Sequence, residues 1–190
     1  MTDDLKPWFP IRTARLLLRE FRQGDFEDVH AYAVQPEVAR FMDWGPNTEA
    51  ETVDYMARAF AQQARWPRDG VTLAVEHLED TRVIGSMRLE VSDRANLSGD
   101  VGYSFNLHYW RQGLATEATR ALLDVGFGVL GLHRIWAECD VENVASFGVM
   151  EKLGLRREAH IRDGKRVKGV WRDRYIYAIL KDEWILPGQN

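Results

Sequence analysis

The chain of 190 residues holds one cysteine, Cys139. That excludes a disulfide within it and any metal cluster built on thiolates. Long apolar runs are missing too. None approaches the roughly 20 residues that a membrane-crossing helix needs, so no membrane partner is expected. The start, MTDDLKPWFPIR, is acidic and then broken by proline, without the basic and apolar blocks of a secretory signal. Nor is there an excess of positive charge: Lys and Arg number 25 against 29 Asp and Glu, a net charge of −4. A dedicated nucleic-acid binder needs a basic footprint to displace counterions, so the balance argues against a nucleic-acid partner. No repeat, low-complexity tract or linker divides the sequence. It reads as one domain over residues 1–190, cytoplasmic by compartment and long enough to bury a sizeable core.

The segments that are present alternate between two periods. Short apolar runs flanked by charges predict strands at 14–21, 71–78, 82–91, 100–107, 133–141, 155–162 and 171–180. Helices are expected at 24–34, with Asp25 facing the positive end of the helix dipole, and at 36–42, opened by Pro36. A third spans Thr48 to Ala64, where Thr48 and Glu51 form a capping box and Val53, Met56, Ala57 and Phe60 make one apolar face. Two more cover 114–130 and 143–154, stopped near Gly131 and Gly154. Residues 92–99 read as a loop, and Asp163-Gly164-Lys165 as the turn of the last hairpin. Antiparallel hairpins followed by strand–helix–strand–helix–strand imply an α+β (mixed α/β) fold around a central sheet.

Between the strand at 100–107 and the helix at 114 lies "YWRQGLATEATRAL". A helix start exposes unpaired amides, and the helix dipole adds positive potential. Gly113 lets the backbone come close to a ligand, Ala115 is nearly as small, and Arg111 adds a charge, so the turn suits a phosphate or pyrophosphate. It has neither the Gly-Lys-Ser/Thr ending of an ATP-type loop nor the three glycines of a dinucleotide fingerprint.

That segment resembles the acyl-CoA-binding turn of the GNAT N-acetyltransferases, and is more closely similar to the branch that acetylates ribosomal-protein N-termini. "TARLLLREF", "VGYSFN", "ENVASFGVMEKLGL" and "RDRYIYAIL" fall in the family's order, and the resemblance covers roughly residues 11–184. It implies a mostly antiparallel central sheet with helices on both faces and a splayed central strand. It also implies acetyl-CoA as co-substrate. The amides of Arg111, Gln112, Gly113, Leu114, Ala115 and Thr116 would hold the pyrophosphate. Main-chain groups of Tyr103, Ser104 and Phe105 would pair with pantetheine as an added strand, with Gly102 marking the bulge that opens it. Asn143 resembles the family's cofactor-contacting asparagine and is equally readable as a helix N-cap. Trp110 stands where the family usually carries Gln or Arg.

Acyl transfer from a thioester to an amine requires that the ammonium lose a proton, the carbonyl be polarised and the leaving thiolate be stabilised. The family's tyrosine acid corresponds to Met150, which cannot donate. The serine that the resembling branch uses instead corresponds to Ser146, one turn after Asn143. Asp100 leads as base, on the strand that would hold pantetheine. Glu138 follows, then Glu90; the alternatives are an ordered water as base, or no base where the amine arrives neutral. Cys139 reads as a buried small hydrophobe. His108, Tyr109 and Trp110 read as packing that shapes the loop; Phe41, Met42 and Trp44 as core or cleft rim; Asp173 as a local ion-pair partner or the receiver of a substrate cation; Glu117 as a complement to the helix start. The basic run at 156–168 reads as a solvated hairpin first, and second as a contact for ribosomal RNA or a cofactor phosphate.

The expected reaction is direct acetyl transfer in a ternary complex to a primary amine, a protein N-terminus first. The alternatives are a small-molecule amine (amino sugar, polyamine or drug), a non-catalytic acyl-CoA sensor and, remotely, a nucleotide-binding module. Either a monomer or a homodimer is compatible with the sequence.

Overall fold

Period-two burial draws the chain into a sheet with a different core on each side. In β3 (Gly70–His77) Leu73 and Val75 face one cluster while Ala74 faces the other. The computed structural model describes residues 9–65 and 68–185. The acidic start at 1–8, on which the reading of compartment drew, lies outside them. Eight strands make up the sheet among these residues: β1 (Ile11–Arg12), β2 (Leu16–Arg19), β3, β4 (Arg82–Asp93), β5 (Ser98–Phe105), β6 (Arg134–Asp140), β7 (Arg156–Val167) and β8 (Val170–Leu180). Their spatial order is β1-β2-β3-β4-β5-β6-β8-β7. Neighbours are antiparallel except β5 and β6, which run parallel.

Helices α1 (Phe26–Ala33), α2 (Pro36–Ala39) and α3 (Glu49–Ala64) cover one face, burying Val29, Tyr32, Val38, Met56 and Ala59 against Ala74 and Val83. Helices α4 (Leu114–Asp124) and α5 (Val144–Lys152) cover the other, where Leu114, Ala118, Leu122 and Met150 join the larger cluster. Each fully buried aliphatic side chain contributes about 1.5–3 kcal/mol from the area it removes from water. The expected mixed fold with helices on both faces is the one observed.

Several boundaries differ from the sequence reading, each for a physical reason. Helix α3 has its capping box, with the Glu51 amide donating to Thr48 Oγ1 at 3.3 Å and the Thr48 amide to Glu51 Oε2 at 2.8 Å. Its buried face is Thr52, Met56 and Ala59, and Val53 is 53% exposed. Thr52 takes an inward position because its hydroxyl has partners there, 3.2 Å from the Thr48 carbonyl and 2.8 Å from His30 Nδ1. Helix α2 stops at Ala39. The helix expected over 114–130 is α-helical to Asp124 and continues as a π turn, Val125–Val129. β4 runs on to Asp93 and β5 begins at Ser98, so the loop between them is shorter than 92–99. Asp163-Gly164-Lys165 is an irregularity within β7. The turn lies at Lys168-Gly169, whose φ values of 48° and 87° are the paired left-handed conformations of a two-residue hairpin.

Asp25 does more than complement a helix. Arg19, on β2, donates to both of its oxygens at 2.7 and 2.8 Å and to Glu76 at 2.6 Å, and the Arg22 amide also bonds Asp25 at 2.7 Å. Arg19 and Asp25 are both 6% exposed, so removing the carboxylate strands a buried guanidinium. Asp25→Ala is expected to lower the unfolding free energy by about 3–5 kcal/mol in urea titrations; a loss under about 1 kcal/mol would show that Glu76 alone satisfies Arg19.

Candidate active site

Strands β5 and β6 pair over three residues only: Ser98 with Arg134, Gly99 with Ile135 and Asp100 with Trp136. Beyond that point each stays with its other neighbour. β5 remains paired with β4 through Phe105, and β6 with β8 through Asp140. The sheet therefore forks after Asp100. The Asn106 amide bonds the Ile84 carbonyl at 2.8 Å, and strand alternation then turns the main-chain groups of Ser104 and Gly102 toward β4 and those of Tyr103 and Phe105 toward the opened side. Of the three residues expected to line it, Ser104 thus offers the backbone nothing there; its hydroxyl sits 3.1 Å from that of Ser86. The Phe105 carbonyl accepts from Trp110 Nε1 at 2.7 Å. Gly102 is not a bulge. The β4–β5 register shifts between Glu90 and Asp93, and Gly102 lies beneath the guanidinium of Arg88.

The chain then turns sharply into α4. Arg111 and Gly113 both adopt left-handed backbone, φ 61° and 79°, and Gly113 is the N-cap. Glycine carries no steric penalty in that conformation. Glu117 is the first residue to bond back along the helix, to the Gly113 carbonyl at 3.0 Å, so the amides of Leu114, Ala115 and Thr116 precede the helical ladder. Arg111, Gln112 and Gly113 are exposed, Ala115 and Thr116 half-buried. Arg15 braces the turn by donating to the Gln112 carbonyl at 2.9 Å and pairing with Glu117 at 2.7 Å. Glu117 is partly desolvated; the Thr13 hydroxyl and the Arg15 amide and guanidinium outweigh that, leaving its carboxyl below the usual range. A cavity of about 370 Å³ opens on the outer side of α4, between Ile11–Thr13 and Arg120–Val129, away from the fork.

On the face covered by α1–α3, four consecutive strands in sheet order carry Arg88 (β4), Asp100 (β5), Glu138 (β6) and Arg174 (β8). A carboxylate stands on each side of the fork, and each has an arginine on its outer side. Asp100 pairs with Arg88, which also reaches Glu90 at 3.2 Å. Glu138 pairs with Arg174 at 3.1 Å. Asp100 is 8% exposed. Burial, with Glu90 and Glu138 adding to it, raises its pKa above the ordinary carboxylate value despite Arg88.

Helix α5 begins on the opposite face, where Asn143 Oδ1 caps the Ser146 amide at 3.2 Å. Tyr103 reaches α5 from β5, donating to the Ser146 carbonyl at 2.9 Å, with Ser146 Oγ at 3.4 Å. Burial pushes the Tyr103 phenol well above its usual pKa, so it stays a proton-bearing donor. Met150 is 2% exposed, in the core. Cys139 is buried among these groups, and burial raises its thiol to about 11.

The remaining candidates fall outside the fork. Tyr109 donates to Asp80 at 2.6 Å and His108's amide bonds Asn106 Oδ1 at 3.1 Å, so the aromatic cluster shapes the loop. Phe41 lies between the guanidinium groups of Arg40 and Arg172, at 4.9 and 5.7 Å. Asp173 is held by His160 at 2.6 Å and the Asp163 amide at 2.9 Å. The basic hairpin is mostly exposed, and it docks on the α2 end through Lys165–Asp43 at 2.8 Å and Lys168 to the Ala39 carbonyl at 2.6 Å. Arg88, Arg174, Arg15 and the Tyr103 hydroxyl were not identified from sequence. Only Arg88 left a local signal, two residues before Glu90 on the same strand face.

A forked sheet beside a helix start whose first amides lie ahead of the helical ladder among the described residues suits a long, flexible ligand that carries a diphosphate. Residues 15–156 match the acetyltransferase (GNAT) domain, and the chain belongs to that family as an acetyl-CoA-dependent N-acetyltransferase. It is 34% identical over 178 residues to the uncharacterized N-acetyltransferase YnaD of Bacillus subtilis, spanning 92% of this chain and 98% of that protein. A crystal structure of a GNAT-family acetyltransferase from Bacillus anthracis matches with a TM-score of 0.81 at 32% identity, over 91% of this chain and 99% of that one. Shorter matches, each 29% identical, join it to two Escherichia coli enzymes. The ribosomal protein uS5-alanine N-acetyltransferase matches over 47% of this chain and 45% of its own length, and the spermidine N(1)-acetyltransferase over 43% and 46%.

Burial and the raised pKa make Cys139 a poor nucleophile at neutral pH. Native protein at pH 7.5 is expected not to react with a thiol-specific disulfide reagent over minutes, and to react fully at one equivalent in guanidinium chloride. Rapid native labelling would place a thiolate at the fork.

Proposed function

We propose that the acceptor is the N-terminal amine of a protein, a ribosomal protein first, acetylated in the cytoplasm by one domain spanning residues 1–190. The observation that carries this reading is the fork after Asp100, with a carboxylate on each side of its mouth. Acetyl-CoA supplies an activated thioester when bound. The residues fit it: at the end of the Arg111–Thr116 turn the amides of Leu114, Ala115 and Thr116 precede the helical ladder and can serve a pyrophosphate, and the opened edge at Tyr103 offers main-chain groups to an amide-bearing tail as an added strand would. Asn143 keeps the first turn of α5 in place beside them.

Asp100 takes the proton from the incoming ammonium, with Glu138 second. A carboxylate with a raised pKa accepts it more readily than an ordinary one, and an α-amine with an unperturbed pKa of about 7.7–8.0 needs only a modest push. Ser146, held by its Asn143 cap and by Tyr103, turns its hydroxyl to the leaving thiolate. The partial likeness to the uS5-alanine enzyme favours a protein N-terminus. The likeness to the spermidine enzyme supports a second reading, a small-molecule amine.

Two substitutions test the assignment. Ala115→Asp places a carboxylate against the pyrophosphate and is expected to weaken acetyl-CoA binding at least about 100-fold by calorimetry, with the far-ultraviolet circular dichroism unchanged; retained affinity removes the turn from the site. Ser146→Ala is expected to slow CoA release about 100-fold with little change in acetyl-CoA affinity; unchanged turnover removes Ser146 from the reaction.

A further inference from the structure

Two carboxylates stand opposite each other where the sheet begins to fork. Glu90 on β4 and Asp100 on β5 are direct register partners. Like charges in that position repel. One guanidinium answers both. Arg88, two residues before Glu90 on the same strand face, pairs with Asp100 Oδ2 and reaches Glu90 Oε2 at 3.2 Å.

The strands on either side of β4 leave room for this clamp. Gly102 is the register partner of Arg88, and a Cβ there would stand 3.6 Å from Arg88 Nε and 3.7 Å from Nη2. Gly70 on β3 is the partner of Glu90, and a Cβ there would stand 2.7 Å from Glu90 Cγ, closer than a side chain tolerates. The Asp100 side chain is 11% exposed, against 46% for Arg88 and 40% for Glu90. The sheltered member of the trio is therefore the carboxylate beside the fork.

The charges balance differently before and after proton transfer. With Asp100 ionised, Arg88 has two counterions. With Asp100 protonated, the Arg88–Glu90 pair remains. Without Glu90, each protonation of Asp100 would leave the guanidinium unbalanced beside it, so Arg88 would oppose the proton. On the other side of the fork Arg174 pairs with Glu138 alone, at 3.1 Å, and protonating Glu138 would unbalance it. The groups that act on Asp100 are Arg88 and Glu90 from β4 and Glu138 from β6; Arg88 lowers its affinity for a proton and the two carboxylates raise it.

We propose that Glu90 is a positioning residue for the base: it holds Arg88 and balances its charge while Asp100 carries the acceptor's proton, and it is not itself the base. The proposal rests on reading Asp100 as the base. In that step an N–H bond of the ammonium breaks and an O–H bond forms at Asp100, where Arg88 engages Oδ2 and leaves Oδ1 to receive the proton. The proton passes to solvent once the product has left.

The test uses the full chain and two measurements. The first follows the Asp100 side-chain carboxyl carbon by NMR through a pH titration, with no acceptor present. Glu90→Gln is expected to lower the Asp100 midpoint by about 0.5–1 pH unit, and Arg88→Gln to raise it by a similar amount. Glu90→Asp, which keeps the charge, should stay within about 0.3 unit of wild type. The second follows CoA release from acetyl-CoA with a tripeptide beginning with alanine and with spermidine. Glu90→Gln should slow turnover about 3- to 10-fold, in line with the weaker base, and Asp100→Asn at least about 100-fold. An Asp100 midpoint that Glu90→Gln leaves in place or raises overturns the proposal, and with Asp100→Asn inactive it leaves Asp100 standing as base. Loss of turnover in Glu90→Gln as deep as in Asp100→Asn overturns it too, since Glu90 then takes part in the proton transfer. Wild-type turnover in Asp100→Asn, or acetyl-CoA bound with no CoA released on either acceptor, overturns the reading of Asp100 and the proposal together.

Discussion

Everything at the site depends on two strands parting. β5 and β6 run parallel for three residues and then follow different partners, β5 with β4 and β6 with β8. A sheet ordinarily satisfies its main-chain groups by continuing the ladder. Here the ladder stops inside the sheet, and a tail carrying amides is the natural partner for what is left. The neighbouring elements keep the strands apart: Trp110 holds the Phe105 carbonyl, Gln35 holds the Leu107 amide at 2.9 Å, and Tyr103 ties β5 to the first turn of α5.

The two sheet faces then divide the work. The face under α4 and α5 carries hydroxyls and the cap of a helix, a setting for a diphosphate and a leaving thiolate. The face under α1–α3 carries alternating charges, suited to an amine and its neighbours. The fork connects the two, so in the proposed direct transfer a ligand threaded from one side would meet an acceptor arriving from the other with no covalent enzyme intermediate. The deep burial of Cys139 agrees with that economy.

Local chemistry was legible in the sequence. The Thr48–Glu51 box, Pro36 at the start of α2, Gly113 ahead of α4 and the Asn143 cap each act within a few residues, and each sits where the residue types put it. What depends on register was not legible. Asp163-Gly164-Lys165 carries a stronger turn signal than Lys168-Gly169, yet strand pairing absorbs it as an irregularity. Val53 fits a helical apolar face, but Thr52 takes the inward position because His30 waits for it. Arg174 and Asp140 are 34 positions apart, and nothing near either one says that they lie opposite each other while Asp140 pairs with Arg172 instead. Tyr103 was read for its backbone, and only the fold brings its hydroxyl to Ser146.

The central claim is that the opened edge of β5 takes the pantetheine of acetyl-CoA as an added strand. Amide hydrogen exchange measured residue by residue, with and without CoA, tests it most directly. The account predicts strong new protection at Tyr103 and across Gly113–Thr116, with Ser104 unchanged because its amide is already bonded toward β4. CoA bound tightly with no change at Tyr103 would contradict it.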